Sequence, residues 1–566
     1  FGSSDMQHLP VVSGLTVPGT VQRAQCAGSW CQWRPRLKAG FARLALAAAP
    51  ALLRHRRRGP GLAPAEPSGL SRPRGLGSAP RLASSMSAPE VTLTELEQQI
   101  FKALLATINH FSLGTTVRAA GGWVRDKLLG ASSDDIDVVV DNMSGEEFAL
   151  KVCEYMTQNA AGDMVSSVGV VKQNPDQSKH LATACFRLYG LSLDVNNLRT
   201  ETYTEDSRIP ATSIGTPAED AQRRDFTVNA LFYNINDGKV EDLTGRGLQD
   251  LQDGLIRTPL PASTTFRDDP LRMLRAIRFA SRLGFRLDDA LVEAASDASM
   301  HQLLETKVSR ERFGIEVDKM MKAKGSRPVA ALSLMQAAQL LRPVFLSPEI
   351  LAVLPEGQAP PSPGQFDEGL ERARLVAELL LAEAPQEELR LVLYAALLSG
   401  FTDQTIPEKK KQKPLITSML RAALKIDLGA CEAVQDIAQA AAALKSCWQL
   451  DGAERNRCIG TQLRIVGERW VQSLALSKAL SSALDEAARL AFLQEREGVC
   501  DSGLVGCWDW KPLIDGKTLM APPFNVPKGR KVGEVMDAQL RWRLESPQLT
   551  EEECARRVHE LVASWK

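Results

Sequence analysis

The run Asp135-Ile136-Asp137-Val138-Val139-Val140 constrains this chain more than any other stretch. Three consecutive valines behind an isoleucine favour an extended backbone, because β-branched side chains lose rotamer freedom in a helix and pack well on a pleated surface. In a strand, residues two apart face the same way. Asp135 and Asp137 therefore point to one side while Ile136 points to the other, toward a core. Two like charges at that spacing repel unless a cation lies between them, and Mg²⁺ takes carboxylate oxygens together with water and phosphate oxygens. A strand end whose acids meet only solvent fits the same six residues, and Asp134, just before the alternation, belongs to that alternative.

The surrounding pattern predicts an α/β domain. A helix over about 92–112 leads into a short strand, "TTVRAA", then Gly121-Gly122 and a helix, "WVRDKLLG". After the Asp135–Val140 strand come a helix, "GEEFALKVCEYMTQNA", and three strands, "SSVGVVKQ", "LATACFRLYG" and "LSLDVNNLR". Alternating elements followed by consecutive strands fit a small mixed sheet with flanking helices. Glycines between a strand and a helix let backbone N–H groups approach a phosphate, and Arg125 one turn on can reach the same place. A Gly-Gly pair is also simply a turn. Asp194, in "LSLDVNNLR", is a candidate third carboxylate, or an acid in solvent.

Beyond residue 268 the apolar spacing is helical, as in "RARLVAELLLAEA" and "LRLVLYAALLSGF". Asp269-Pro270 reads as a helix start, with a capping acid before a favoured proline. The helix that follows carries Arg272, Arg275, Arg278 and Arg282 as a stripe opposite Leu271, Leu274, Ile277 and Leu283. Such a stripe is a solvated face or an anion-binding one. Residues 354–369 read as a Pro/Gly-rich connection, and "PEKKKQKP" (407–414) as a charged loop.

Charge narrows the partners. The chain has 68 basic and 68 acidic residues, but residues 1–86 carry 12 of the basic and only two of the acidic ones. The remaining 56 basic and 66 acidic residues leave a net of −10. A nucleic acid must then be gripped by a local basic surface and not by a bulk field. Residues 1–86 have the Arg/Ala/Ser-rich, acid-poor composition of an organelle transit peptide, mitochondrial or plastid, although untranslated sequence has the same look. Met86 is a candidate second start, giving a cytoplasmic or nuclear form. The longest apolar candidate, "LALAAAPALL", is broken by Pro50 and too short to span a membrane. Ten cysteines without zinc-type spacing read as free thiols.

"AAGGWVRDKLLG…SDDIDVVV", "RRDFTVNALFYNI" and "DDPLRMLRAIRFASRLGF" occur in that order, and they resemble the successive motifs of class II tRNA nucleotidyltransferases, the CCA-adding enzymes of the DNA polymerase β-like superfamily. The resemblance is strong over roughly 95–320, and "VPKGRKVGEVMDAQLRWRLESPQLTEEEC" is similar to the family's C-terminal tail. It implies a catalytic domain over 87–265, a nucleotide-selecting helical neck over 266–340, a helical body over 341–499 and a tRNA-binding tail over 500–566. It implies Asp135 and Asp137 as Mg²⁺ ligands, and Gly121, Gly122, Arg125 and Arg224 beside the triphosphate. Asp225 and Asn229 are implied as site-organising residues, and Asp269, Arg272, Arg275 and Arg278 as the group that selects the base and holds its phosphates. Many bacterial members have Glu-Asp where this chain has Asp268-Asp269. "KVSRERFGIEVDKMM" resembles a motif that buttresses the pocket, where packing is the expected role of Arg310, Glu311 and Arg312. Lys528, Arg530 and Lys531, on a Gly-rich turn, are candidate tRNA contacts. The implied substrates are tRNA, CTP and ATP. A poly(A) polymerase, a C-only or A-only enzyme, or a non-catalytic RNA-binding homologue shares the motifs.

Overall fold

The period-two segments assemble into a seven-stranded mixed sheet in the computed structural model, which describes residues 90–565 apart from 134, 160, 172–182, 205–206, 324, 356, 381–384, 409–410 and 482–485. The leader, the second start at Met86 and Asp134 lie outside the described residues. The strands are β1 (Val117–Ala120), β2 (Asp135–Val140), β3 (Gly169–Val171), β4 (Thr183–Leu188) and β5 (Leu191–Asn197). A separate antiparallel pair, β6 (Arg199–Thr204) and β7 (Ser207–Ile214), follows, then β8 (Phe232–Asn234) and β9 (Lys239–Glu241). The sheet order is β3-β4-β5-β2-β1-β8-β9, with β2 and β5 its parallel pair.

Helix α1 (Glu95–Phe111) starts where Thr94 and Glu97 form a reciprocal capping box, which satisfies two end N–H groups. The Glu97 carboxylate also receives Lys127 Nζ at 2.6 Å and Trp123 Nε1 at 3.0 Å. Those contacts tie α1 to α2 (Gly122–Leu128), the helix that follows the glycine pair. Ile136, Val138 and Val140 are wholly buried with Phe148 and Val152 of α3 (Gly145–Gln158), so one face of β2 belongs to the main core. Val139 points the other way, into a smaller cluster with Ala120, Leu198, Ala221, Ala230 and Phe232. Asp135 and Asp137 share that second face.

Helices α4 (Pro217–Arg223), α5 (Gly247–Asp253) and α6 (Ala262–Asp268) lead to α7 (Leu271–Leu283), whose Leu271, Leu274 and Ile277 are buried as the spacing predicted. Then come α8 (Asp289–Ala295), α9 (Ala298–Lys307) and α10 (Arg310–Lys322), and the remainder is mostly helical. Arg310 donates to the Pro343 carbonyl at 2.9 Å and stacks on Phe313, a packing role. The last helices enclose a small core of their own around Leu519, Val535, Cys554 and Val558.

Two expectations are corrected. The charged loop at 407–414 is part of an antiparallel hairpin, Thr405–Glu408 against Lys411–Pro414. Its strands carry lysines outward and bury only Ile406, so no apolar alternation marks them. The cysteines are not all free: Cys447 and Cys458 form a disulfide, because the short turn between helices Leu428–Cys447 and Gly452–Val466 brings their Cα atoms to 5.5 Å.

Candidate active site

Strand register sets the floor of the site. Asp194 on β5 is paired with Asp137 on β2, Asp137 with Ala120 on β1, and Ala120 with Phe232 on β8. Residues paired across strands share a face, so Asp194 and Asp137 stand side by side, with Asp135 on the same face two residues away. Ser133 Oγ donates to the Asp135 carbonyl at 3.0 Å, holding the entry to the strand.

Gly121 closes this floor on one side. It has φ +69° and ψ −127°, a conformation glycine adopts at little cost. A Cβ there would lie 3.1 Å from Arg224 Nη1 and 3.7 Å from Asp137 Oδ2. Bare backbone, a guanidinium and a carboxylate therefore converge at one point. The Asp137 side chain keeps an open face, yet protein crowds it closely. That partial desolvation, with the like charges of Asp194 and Asp135 adding to it and Arg224 opposing, lifts its pKa from 3.8 to about 6. Among the described residues no three carboxylate, histidine or cysteine side chains converge as a ready-made metal cage. The donors on this face are carboxylate oxygens whose negative charge Arg224 offsets only in part, which suits a hard divalent cation that keeps water and phosphate as its other ligands.

Behind the floor runs a chain of polar side chains, buried at Arg125, Asn229 and Asp225. Arg125 Nη1 donates to Asn229 Oδ1 at 2.6 Å, and Asn229 Nδ2 donates to Asp225 Oδ1 at 3.0 Å. Asp225 Oδ2 accepts from Arg275 Nε and Nη2 at 2.9 and 2.6 Å. Burial alone would raise the Asp225 pKa, but Arg275 and Asn229 outweigh it and hold the carboxyl at about 2. Phe279 is the hub of this arrangement. The guanidinium carbons of Arg125, Arg275 and Arg278 lie 5.1, 5.6 and 4.1 Å from its ring centre, within cation–π range.

The arginine-bearing helix α7 thus packs against the segment 223–225 and against Arg125, which border the carboxylate-bearing face. Arg272 is buried and donates to the Arg223 carbonyl at 2.8 Å. Asp269 accepts from the Leu271 N–H at 3.2 Å, while Pro270 holds the N-cap position of α7. Arg278 donates its Nε to Glu316 of α10 at 2.6 Å. Gly122 opens α2 beside Arg125. Lys528, Arg530 and Lys531 stand apart from this cluster, at the start of the helix Arg530–Glu545. There Arg530 and Lys531 both contact Glu534, and Lys531 lies 4.3 Å from the Trp565 ring centre.

Sequence reading missed Glu316, Phe279 and Asp220. Asp220 carried a usable signal: it stands four residues before Arg224, a spacing at which opposite charges meet on a helix. Glu316 meets Arg278 only through helix packing, which leaves no local mark.

Residues 117–257 match the family described as the poly A polymerase head domain. The chain is 34% identical over 514 residues to the mitochondrial CCA tRNA nucleotidyltransferase of Saccharomyces cerevisiae, covering 83% of this chain and 93% of that protein. It is 33% identical to the tRNA nucleotidyltransferase cca2 of Schizosaccharomyces pombe, covering 82% and 97%. A solved CCA-adding enzyme with CTP has the same fold, with a TM-score of 0.56 at 21% identity over 84% of this chain and 96% of that one. A Thermotoga maritima CCA-adding enzyme complexed with tRNA aligns at a TM-score of 0.54 and 20% identity, covering 84% and 97%. Relatedness over nearly the whole length of these proteins makes the chain a member of the CCA tRNA nucleotidyltransferase family.

Proposed function

We propose that the chain adds C and A to the 3′ end of tRNA from CTP and ATP, without a nucleic-acid template. One observation carries the reading: Asp137 and Asp194 stand abreast, Asp135 shares their face, and the arginine helix packs against the segment bearing Arg224. The activities named for relatives that span most of the chain support the same reading.

The 3′-hydroxyl oxygen of tRNA would attack the α-phosphate, forming one P–O bond as the bond to the β-phosphate breaks and pyrophosphate leaves. Asp135 and Asp137 would hold Mg²⁺, which when bound eases deprotonation of the attacking hydroxyl and offsets charge on the departing group. Gly121 leaves room for phosphate oxygens against bare backbone. Arg224, Arg125 and Arg275, fixed in advance by their carboxylate and amide partners, supply positive charge without reorganising during the reaction.

Asp269 and Arg272 give a protein rule for base choice. C and A each present an amino donor beside an unprotonated ring nitrogen, complementary to a carboxylate and a guanidinium. G and U present the reverse, and each unsatisfied buried partner costs about 1–3 kcal/mol. The bond from Leu271 N–H uses one lone pair of the Asp269 carboxylate, which has others. Lys528, Arg530 and Lys531 are proposed phosphate contacts for the tRNA, within a tail over 500–566 that follows the catalytic (87–265), neck (266–340) and body (341–499) segments. The name of the Saccharomyces relative, a mitochondrial enzyme, supports a mitochondrial site of action.

The test is incubation with a tRNA lacking its CCA end and labelled CTP or ATP. Addition of C, C and then A, with no GTP or UTP use, is expected. Long homopolymer tails, or one nucleotide only, would replace this reading with that of a related polymerase.

A further inference from the structure

Asp220 is wholly buried. Its Oδ2 accepts from Arg224 Nε at 3.0 Å and forms an ion pair with Arg224 Nη2 at 2.9 Å. Its Oδ1 accepts from Arg223 Nε at 2.9 Å, from Arg223 Nη2, and from the Arg199 N–H at 3.3 Å. A buried carboxylate is costly unless every lone pair is met, and here five donors surround one group. The start of α4 does not need it, since Thr216 and Glu219 already form the capping box there. What the pair of arginines reaches is informative. Arg224 Nη1 lies against Gly121 and the Asn229 carbonyl, beside Asp137. The carbonyl of Arg223 receives Arg272 Nη2.

We propose that Asp220 is a positioning residue for nucleotidyl transfer: from behind the pocket it fixes Arg224 beside Asp137 and, through the tethered Arg223, fixes Arg272 one turn from Asp269. The inference rests on the proposed C and A addition. It predicts that one buried charge governs both the rate and the choice of base, although it contacts no substrate.

The experiment compares full-length wild type with Asp220→Asn, which keeps the shape and removes the charge. Incorporation of each of the four nucleotides into tRNA lacking CCA is measured, with tRNA affinity and melting read on the same samples. Wild-type addition of C and A tests the underlying activity by itself. In Asp220→Asn, kcat/KM for CTP and ATP falls about 10–100-fold, the loss expected for misplaced groups, while tRNA binding is kept. Preference for CTP and ATP over GTP and UTP falls about tenfold, as when a buried partner is left loose. In an Arg224→Ala background, Asp220→Asn costs CTP incorporation less than about threefold further, because coupled residues are non-additive. A uniform loss with base preference intact, or full additivity with Arg224→Ala, overturns the proposal. Should Asp220→Asn fail to fold, Arg223→Gln serves: reduced base preference supports the tether, and unchanged preference removes it.

Discussion

Gly121→Ala tests whether close approach at one glycine sets the catalytic geometry. At φ +69° and ψ −127° an alanine bears backbone strain of about 1–3 kcal/mol. Its methyl would also sit 3.1 Å from Arg224 Nη1, well inside the 3.5–4.0 Å of a comfortable contact. Arg224 cannot swing away freely, because Asp220 holds its Nε and Nη2. Gly130→Ala is the matched control, with φ +74° and nothing within 4 Å of its Cβ position. Both variants lower the melting temperature by a few degrees, the usual effect of about 1 kcal/mol or more. Only Gly121→Ala loses about 10–100-fold in kcat/KM for CTP, as expected for displaced catalytic groups. The assay is single-nucleotide incorporation at saturating tRNA, alongside thermal melts. Wild-type kinetics in Gly121→Ala would refute the argument that Arg224 and Asp137 are set by this contact. Equal kinetic losses in both variants would assign the effect to strain alone.

Asp137→Asn should abolish incorporation, by about 10³-fold or more, while leaving tRNA affinity within threefold by filter binding. Because the folded-state pKa of Asp137 is raised to about 6, its ionisation opposes folding progressively as pH rises from about 4 to 6. In Mg²⁺-free buffer with a chelator, the same variant should therefore melt higher than wild type at pH 7.5 and lose that advantage near pH 4. Arg275→Met strands Asp225 and should destabilise the fold by about 1–3 kcal/mol at pH 7, less than a fully buried pair because Arg275 is about one-third exposed. Asp225 is depressed to about 2, so its stabilisation is present above pH 4 and is lost as pH falls toward 2; the gap between variant and wild type in chemical denaturation should narrow over that window. Reducing Cys447–Cys458, which spans 11 residues, should destabilise the helical region by about 2–3 kcal/mol, seen as a lower melting temperature in reductant.

The legible parts of this chain are those where one period decides. "DIDVVV" could be read because a two-residue alternation assigns Asp135 and Asp137 to one face and Ile136 to the other. The α7 stripe could be read because its apolar residues recur at three and four. Strands β6 and β7 were missed because "RTETYTEDSRIPATSI" has no apolar alternation, and the lysine hairpin was missed for the same reason. The neighbour relation of Asp194 and Asp137 depends on parallel pairing of strands over fifty residues apart, which no local pattern encodes. The partners of Arg125 and Arg278 come from packing between elements, as does the disulfide. Types of residue were thus visible where their partners were not.

Those partners bear on how a chain with a net acidic body can hold an anionic substrate. Arg275 uses Nε and Nη2 on Asp225, Arg224 uses Nε and Nη2 on Asp220, and Arg278 uses Nε on Glu316. A guanidinium has five N–H donors in a fixed plane, so an internal pair orients it and still leaves donors on its other edge. Lysine could not do this, since its single ammonium has no second edge held in plane. The pairing cancels much of the positive potential at long range, so it gains little by steering. What it secures is direction: under the proposed function, an arriving phosphate would find donors already aimed, with little reorganisation left to make. Lysine at 224 should accordingly keep the charge but lose most of the rate. If Arg224→Lys retained wild-type kcat for CTP, charge alone would suffice at this position, and pre-orientation by Asp220 would be irrelevant to catalysis.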